Sequence, residues 1–256
     1  MAGCLYLVST PIGHPDDISL RALRVLRHVS VIAAEDPRVT QRLLAQHDID
    51  TPLTSYQNVN KEDKAPVLVT WMREGKDVAL VSDAGTPVIT DPGHLLVSQA
   101  LRHHIDVIPI PGPFTPAVAL SASGLPSDGF LFQGYLPSGQ LRRRSLLNRL
   151  KVEERTLIFF ETPRRLRASL DAMAQVFGNR RMVLARDLTR PSEEYIRGRV
   201  AQLLKIRPQR LIKGDITLLV EGFRGPRDQS RPRKRPAIRP PASGSRRGRI
   251  ARVVPG

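Results

Sequence analysis

Short apolar runs alternate with helical spacings through the first half of the chain. Leu5-Tyr6-Leu7-Val8 reads as a buried strand, and Ile18, Leu20, Ala22, Leu23, Val25 and Leu26 follow it at the spacing of a helix face. Val29 to Ala34 is a second strand and Leu53 to Tyr56 a weaker third. Val78 to Val81 is the clearest, uniformly apolar as a strand covered on both faces must be. Leu95 to Leu101 returns to helical spacing, and Val107 to Ile110 closes the unit. This alternation predicts βα units around a mainly parallel sheet.

The texture changes at Pro109, Pro111, Gly112, Pro113 and Pro116, which continue neither a helix nor a central strand. A domain boundary is predicted there, giving an N-terminal α/β domain over 1–111 and a mixed α/β domain over 112–222. The second half reads as strands at Phe130 to Tyr135, Thr156 to Phe160, Met182 to Ala185, Tyr195 to Val200 and Ile216 to Val220, with two helices. These helices open at Thr115-Pro116 and Thr162-Pro163, a capping hydroxyl before a proline at the first helical position. The strands near Met182 and Tyr195 leave no room for a crossover helix, so they are expected to pair antiparallel.

Composition narrows the classes. The single cysteine, Cys4, excludes an internal disulfide and a cysteine-rich zinc site, which favours a cytoplasmic protein. No apolar run reaches the roughly 18 residues of a membrane span, and no signal-peptide pattern is visible. The net charge of +16 is concentrated in the tail, where 223–256 carries eleven Lys and Arg against one acid. That segment, rich in arginine and proline with almost nothing to bury, is expected to be disordered alone and to act as a polyanion tether.

Two strand-following loops are shaped to hold a ligand: Ser9-Thr10-Pro11-Ile12-Gly13, and Ser82-Asp83-Ala84-Gly85-Thr86-Pro87 continuing to Asp91-Pro92-Gly93. Small residues let the backbone approach a ligand, and ligands collect beyond the carboxyl ends of strands in open α/β sheets. Neither loop carries a dinucleotide or phosphate-loop fingerprint. A third cluster, Glu35-Asp36-Pro37-Arg38, is either a solvated turn or a cleft lining with an acid as proton acceptor and an arginine on phosphate. The histidines lack metal-ligand spacing, so no metal is expected. Arg142-Arg143-Arg144, with Arg149 and Lys151, reads as a basic helix face beside Gly134-Tyr135-Leu136-Pro137, a loop placed to meet an anion.

Taken together, Leu5 to Gly13, Asp17 to Ala22, Ala34-Glu35-Asp36-x-Arg38, Val81 to Pro87, and Asp91-Pro92-Gly93 resemble the ribosomal RNA small subunit methyltransferase I family, the rRNA branch of the tetrapyrrole methylase superfamily. Pro111-Gly112-Pro113, Ala122 to Pro126, Phe130 to Pro137, Glu161-x-Pro163-x-Arg165, Leu188-Thr189 and Lys213 to Ile216 continue the resemblance in one collinear order. Departures include His14-Pro15, Pro37, Thr162 and Arg164.

The resemblance implies two α/β domains of tetrapyrrole methylase type with S-adenosyl-L-methionine in the cleft between them, usually in a homodimer. It implies 2′-O-methylation of a decoding-centre cytidine of 16S rRNA within the small ribosomal subunit. The cofactor residues it implies are Pro11, Gly13, Asp83, Ala84, Gly85, Pro87, Ile89, Ser121 and Ala122. A ribose hydroxyl is a poor nucleophile, so Asp36 or Glu35 is expected to accept its proton, with Arg38, Arg142 and Arg143 on the substrate. Two alternatives remain: a methylase of tetrapyrrole intermediates, and a non-catalytic ribosome-assembly factor.

Overall fold

The computed structural model describes residues 2–205 and 213–225, and residues Met1–Phe223 cluster as one unit. The basic tail expected over 223–256 lies, beyond Gly225, outside the described residues.

The first half forms a wholly parallel sheet of β1 (Leu5–Val8), β2 (Val31–Ala34), β3 (Leu53–Ser55), β4 (Val78–Val81) and β5 (Val107–Ile110), in the order β3-β2-β4-β1-β5. Alternate residues explain its layers. Val31, Ala33, Val78 and Leu80 pack toward α3 (Lys61–Arg73) and α4 (His94–Arg102), while Ile32, Ala34, Ala79 and Val81 pack toward α1 (Leu20–His28) and α2 (Pro37–Ala45). Both faces are covered, which is why β2 and β4 are apolar at every position. Ser19 starts α1 by accepting the Ala22 amide, and Asp36 starts α2 by accepting the Arg38 amide, with Pro37 in its first turn.

The second half contains a mixed sheet of β6 (Phe130–Tyr135), β7 (Thr156–Glu161), β8 (Arg181–Arg186), β9 (Glu194–Arg199) and β10 (Ile216–Val220), in the order β6-β7-β10-β8-β9. β6 and β7 run parallel and the remaining pairs antiparallel, including the expected β8–β9 pair. One face packs beneath α6 (Gln140–Arg149), α7 (Pro163–Phe177) and the short α8 (Val200–Leu203). The other face packs on α5 (Thr115–Ser121) and on Ile12 from the loop after β1.

Two expectations need correction. Among the described residues the second half has four helices rather than two, because α6 and α8 lack the proline start that marks α5 and α7. Neither threonine caps through its hydroxyl. Thr115 already lies inside α5, and the Thr162 amide donates to the Glu161 side chain at 2.8 Å.

Candidate active site

Strand order decides which loops meet. β4 lies between β2 and β1, so the loops leaving the carboxyl ends of β1, β2 and β4 become neighbours. The β1 and β4 loops are tied by reciprocal backbone bonds, Thr10 N–H to Gly85 O at 3.0 Å and Gly85 N–H to Thr10 O at 3.1 Å. Gly85 has φ +84, a conformation that a β-carbon opposes. Thr86 Oγ1 reaches the loop after β5, donating to Pro113 O at 3.1 Å.

The β2 and β4 loops are stitched in the same way through carboxylates. The Asp36 amide donates to Asp83 Oδ1 at 2.9 Å, and the Asp83 amide faces Glu35 Oε2 at 3.4 Å. Above these loops, facing the second sheet, is a cavity of about 670 Å³. That is within the range of small-molecule sites. The first layer contributes Glu35, Asp83, Ala84, Gly85, Ile89 and Asp91 to its wall; the second contributes Phe114, Tyr135, Phe160, Glu161, Arg190 and Asp215.

The carboxylates divide sharply. Burial pushes Glu35 and Asp83 upward, and Glu35 is raised further by the charge of Asp83. Asp91 is pushed up to about 7 by burial and by the charge of Glu35. Asp36 moves the other way, held down by hydrogen bonds from the Arg38 guanidinium and amide. Arg38 Nε and Nη2 reach its two oxygens at 3.1 and 3.0 Å. Two adjacent acids that are equivalent in sequence therefore differ in kind. Glu35 lines the cavity without a cationic partner among the described residues; Asp36 is a helix cap locked to an arginine and does not line it.

Of the residues expected to hold a cofactor, Asp83, Ala84, Gly85 and Ile89 line the cavity and the others do not. Gly13 serves loop packing: a β-carbon there would stand 2.4 Å from Leu188 O, and the next amide, of His14, donates to Thr189 Oγ1 at 2.9 Å. Its neighbour Ile12 lines the cavity, while Pro11 does not. Pro87 is buried behind the wall in a smaller chamber. Ser121 and Ala122 end α5, exposed and outside the lining, with Ser121 Oγ donating to Val118 O and Ala122 O accepting from Arg197.

Arg142 is exposed on α6, but Arg143 is not a surface residue. Its guanidinium is buried against the Pro137 and Ser138 carbonyls at 3.4 and 3.2 Å, where it shapes the preceding loop. Consecutive helix residues point about 100° apart, so the three arginines cannot share one face. The sequence placed Asp91 in a ligand-shaped loop and Tyr135 in a loop facing an anion, and missed Arg190, Asp215 and Glu161 as wall residues. The Glu161-x-Pro163-x-Arg165 spacing was the available signal for Glu161, which is buried and 3.4 Å from Arg165.

Residues 4–204 match the model of the tetrapyrrole (corrin/porphyrin) methylases. The chain belongs to this family. The protein is therefore a methylase, and S-adenosylmethionine is the methyl donor of the family. Curated proteins called ribosomal RNA small subunit methyltransferase I are similar to it. The one from Micromonospora olivasterospora is 46% identical over 222 residues, covering 86% of this chain and 71% of that protein. The one from Thermotoga maritima is 41% identical over 220 residues, covering 86% and 99%. Solved methylase-family structures share the fold. A cobalt precorrin-4 methyltransferase superposes with a TM-score of 0.65 at 20% identity, covering 85% of this chain and 94% of that one. The Thermus thermophilus uroporphyrin-III C-methyltransferase complexed with S-adenosyl homocysteine gives 0.59 at 20% identity, covering 85% and 97%.

The residues present fit the family's donor. Ile12, Val39, Ile89, Phe114 and Leu188 offer apolar surface for a flat base, and the first-layer acids offer negative charge for a sulfonium and an ammonium group. No group of three or more histidines, cysteines or acids among the described residues is arranged to hold a metal.

Proposed function

We propose that this protein transfers the methyl group of S-adenosylmethionine to the 2′-oxygen of a cytidine ribose in the decoding centre of 16S rRNA, on the assembled small ribosomal subunit. The rRNA substrate is carried over from the relatives, whose names give it at 41–48% identity. On this reading the chain works as a cytoplasmic homodimer, with domains over 1–111 and 112–222 and a basic tail that tethers RNA. No described helix is long and apolar enough to cross a membrane.

The observation that carries the mechanism is the uncommitted Glu35 at the cavity wall beside an occupied Asp36. S-adenosylmethionine, when bound, supplies a methyl carbon already activated for in-line displacement. Glu35 accepts the proton of the attacking hydroxyl, and its raised affinity for protons suits that task better than the depressed carboxyl of Asp36. The Asp83–Gly85 backbone and Ile89 hold the donor. Arg38, 86% exposed at the rim, meets an RNA phosphate, and Arg142 adds a second contact.

The test is transfer of labelled methyl from the donor to small subunits lacking the modification, followed by mapping of the nucleotide and atom. A 2′-O-methylcytidine is expected. Labelling of porphyrinoids alone would assign the tetrapyrrole reading. Absence of donor binding by calorimetry at millimolar concentration would leave the assembly-factor reading.

A further inference from the structure

A shallow, open hollow on α6 shares no residue with the main cavity. It is formed by Leu141, Arg144, Ser145, Asn148 and Arg149, whose spacing of three and four puts them on one side of the helix. Leu146 and Leu147 hold the other side in the core. The helix carries no acid, and its first turn holds Arg142 and Arg143, where the helix dipole favours acids instead. These charges do not serve the helix. Nor do they serve surface ion pairs. Among the described residues Arg142, Arg144, Arg149 and Lys151 meet no acid, whereas Arg38, Arg155 and Arg167 each hold one at 3.0, 2.7 and 3.3 Å.

The fold fixes where this helix starts and ends. Tyr135, the last residue of β6, lines the main cavity, and the loop from it to α6 is pinned by two guanidiniums. Arg165 donates to the Leu136 carbonyl, and Arg143 to the Pro137 and Ser138 carbonyls at 3.4 and 3.2 Å. Because α6 is the crossover between the parallel strands β6 and β7, it runs back from the cavity end of the sheet, over about 15 Å for ten residues. Its far end is tied to Phe223. The Phe223 amide donates to Glu153 O at 2.6 Å. The Arg180 guanidinium, 4.9 and 5.4 Å from the ring centres of Phe177 and Phe223, donates to Lys151 O. The unpaired cations therefore extend from the cavity end of the second sheet to the residue at which the basic segment 223–256 is attached.

We infer that the exposed side of α6 is a docking surface for the sugar-phosphate backbone of RNA outside the reacting nucleotide, with Arg144 and Arg149 on phosphates. Ser145 and Asn148 between them offer neutral hydrogen bonds to phosphate or ribose oxygens, and Leu141, 84% exposed, offers apolar contact to a sugar or base. Charge selects this occupant over the others available. The segment 223–256, with eleven Lys and Arg against one acid, is repelled by the same helix, and so is this face of a second copy laid against it. A polyanion satisfies both, and releases counterions on doing so. That the polyanion is RNA rests on the rRNA reading proposed above; the surface itself rests on the geometry of α6.

The experiment uses the full chain carrying Arg144→Gln and Arg149→Gln together. Both side chains are exposed and unpaired, so the melting temperature is expected to hold. Affinity for small subunits lacking the modification is measured over a series of salt concentrations, beside the kinetics of methyl transfer. The slope of log affinity against log salt is expected to be shallower by about 1.4–1.8, the worth of two phosphate contacts. The gap between wild type and variant then narrows about tenfold between about 50 and 200 mM salt. The KM for subunits should rise, while kcat at saturation and donor affinity stay unchanged. Arg144→Lys with Arg149→Lys should restore the slope, because counterion release counts charge. If wild type binds subunits and the glutamine variant keeps its slope, the docking surface falls and the rRNA reading stands. If wild type itself has no affinity for subunits, the rRNA reading falls and the docking proposal with it. Loss of binding to phosphatidylserine vesicles, with affinity for subunits intact, would reassign the face to a lipid surface and overturn the proposal.

Discussion

The two walls of the cavity carry comparable numbers of acids and use them in opposite ways. On the second-layer wall the acids are spoken for. Glu161 is buried beside Arg165 and accepts from the Thr162 amide and the Ser169 hydroxyl, and Asp215 meets Arg190 at 2.9 Å. Arg165 in turn donates to the Leu136 carbonyl, so this network fixes the loop after β6. On the first-layer wall Glu35 and Asp83 accept backbone amides, these two and Asp91 meet no cation among the described residues, and all three bind protons more tightly than usual. Paired acids build a floor; unpaired ones remain free to take a proton or face a cationic ligand. Asp36 marks the boundary, because it stands in the first layer but is paired like the second.

The comparison breaks first at Glu35. Glu35→Gln is expected to lower turnover by about 10²–10⁴-fold, the usual worth of a general base, while donor affinity measured by calorimetry changes little. Turnover within threefold of wild type would remove the distinction between the walls.

Glu161→Ala should instead act on the fold. It leaves the half-buried Arg165 without its partner, so urea unfolding is expected to show a loss of about 3 kcal/mol, near the lower end for breaking a buried pair. Donor binding should survive in the folded fraction.

Asp91 supplies a pH signature. Its carboxyl is raised from 3.8 to about 7, so the folded state holds a proton that the unfolded chain releases. This contribution to stability is complete below pH about 4 and is lost as pH rises through about 7. Glu35 and Asp83, shifted in the same direction, add to the slope. Asp91→Asn should flatten the decline in unfolding free energy across that window. A cationic donor reverses the preference, so its affinity should rise with pH through the same range.

The smallest effect belongs to Asp36→Asn. The amide oxygen can still accept the Arg38 N–H that caps α2, so a loss of about 0.5–1 kcal/mol in stability and only a few-fold change in turnover are expected. A loss as deep as that of Glu35→Gln would exchange the roles of the two residues.

Much of this was legible in the residues. The strands announced themselves because β2 and β4 are buried at every position and apolar throughout, and β10, equally buried, has Thr217 as its one polar residue. Of the glycine and proline loops expected to hold a ligand, Asp83 to Gly85 and Ile89 line the cavity. The misreadings share one cause. Gly13 and Arg143 belong to types that serve ligands and packing equally well, and only the neighbouring chain shows which. Gly13 lies against Leu188, some 175 positions away, and Arg143 turns inward to its own loop.

Local chemistry in the sequence therefore settled the strands and the two α/β layers, though not every helix, since burial and turn geometry are decided residue by residue. Strand order was beyond its reach. Only the tertiary arrangement β3-β2-β4-β1-β5 sets the loop after β2 against the loop after β4. That long-range pairing places Glu35 beside Asp83 and Asp91 and turns Asp36 away to Arg38. Proton affinity depends on the charges and solvent within a few ångströms, and such neighbours are made by folding, not by adjacency in the chain.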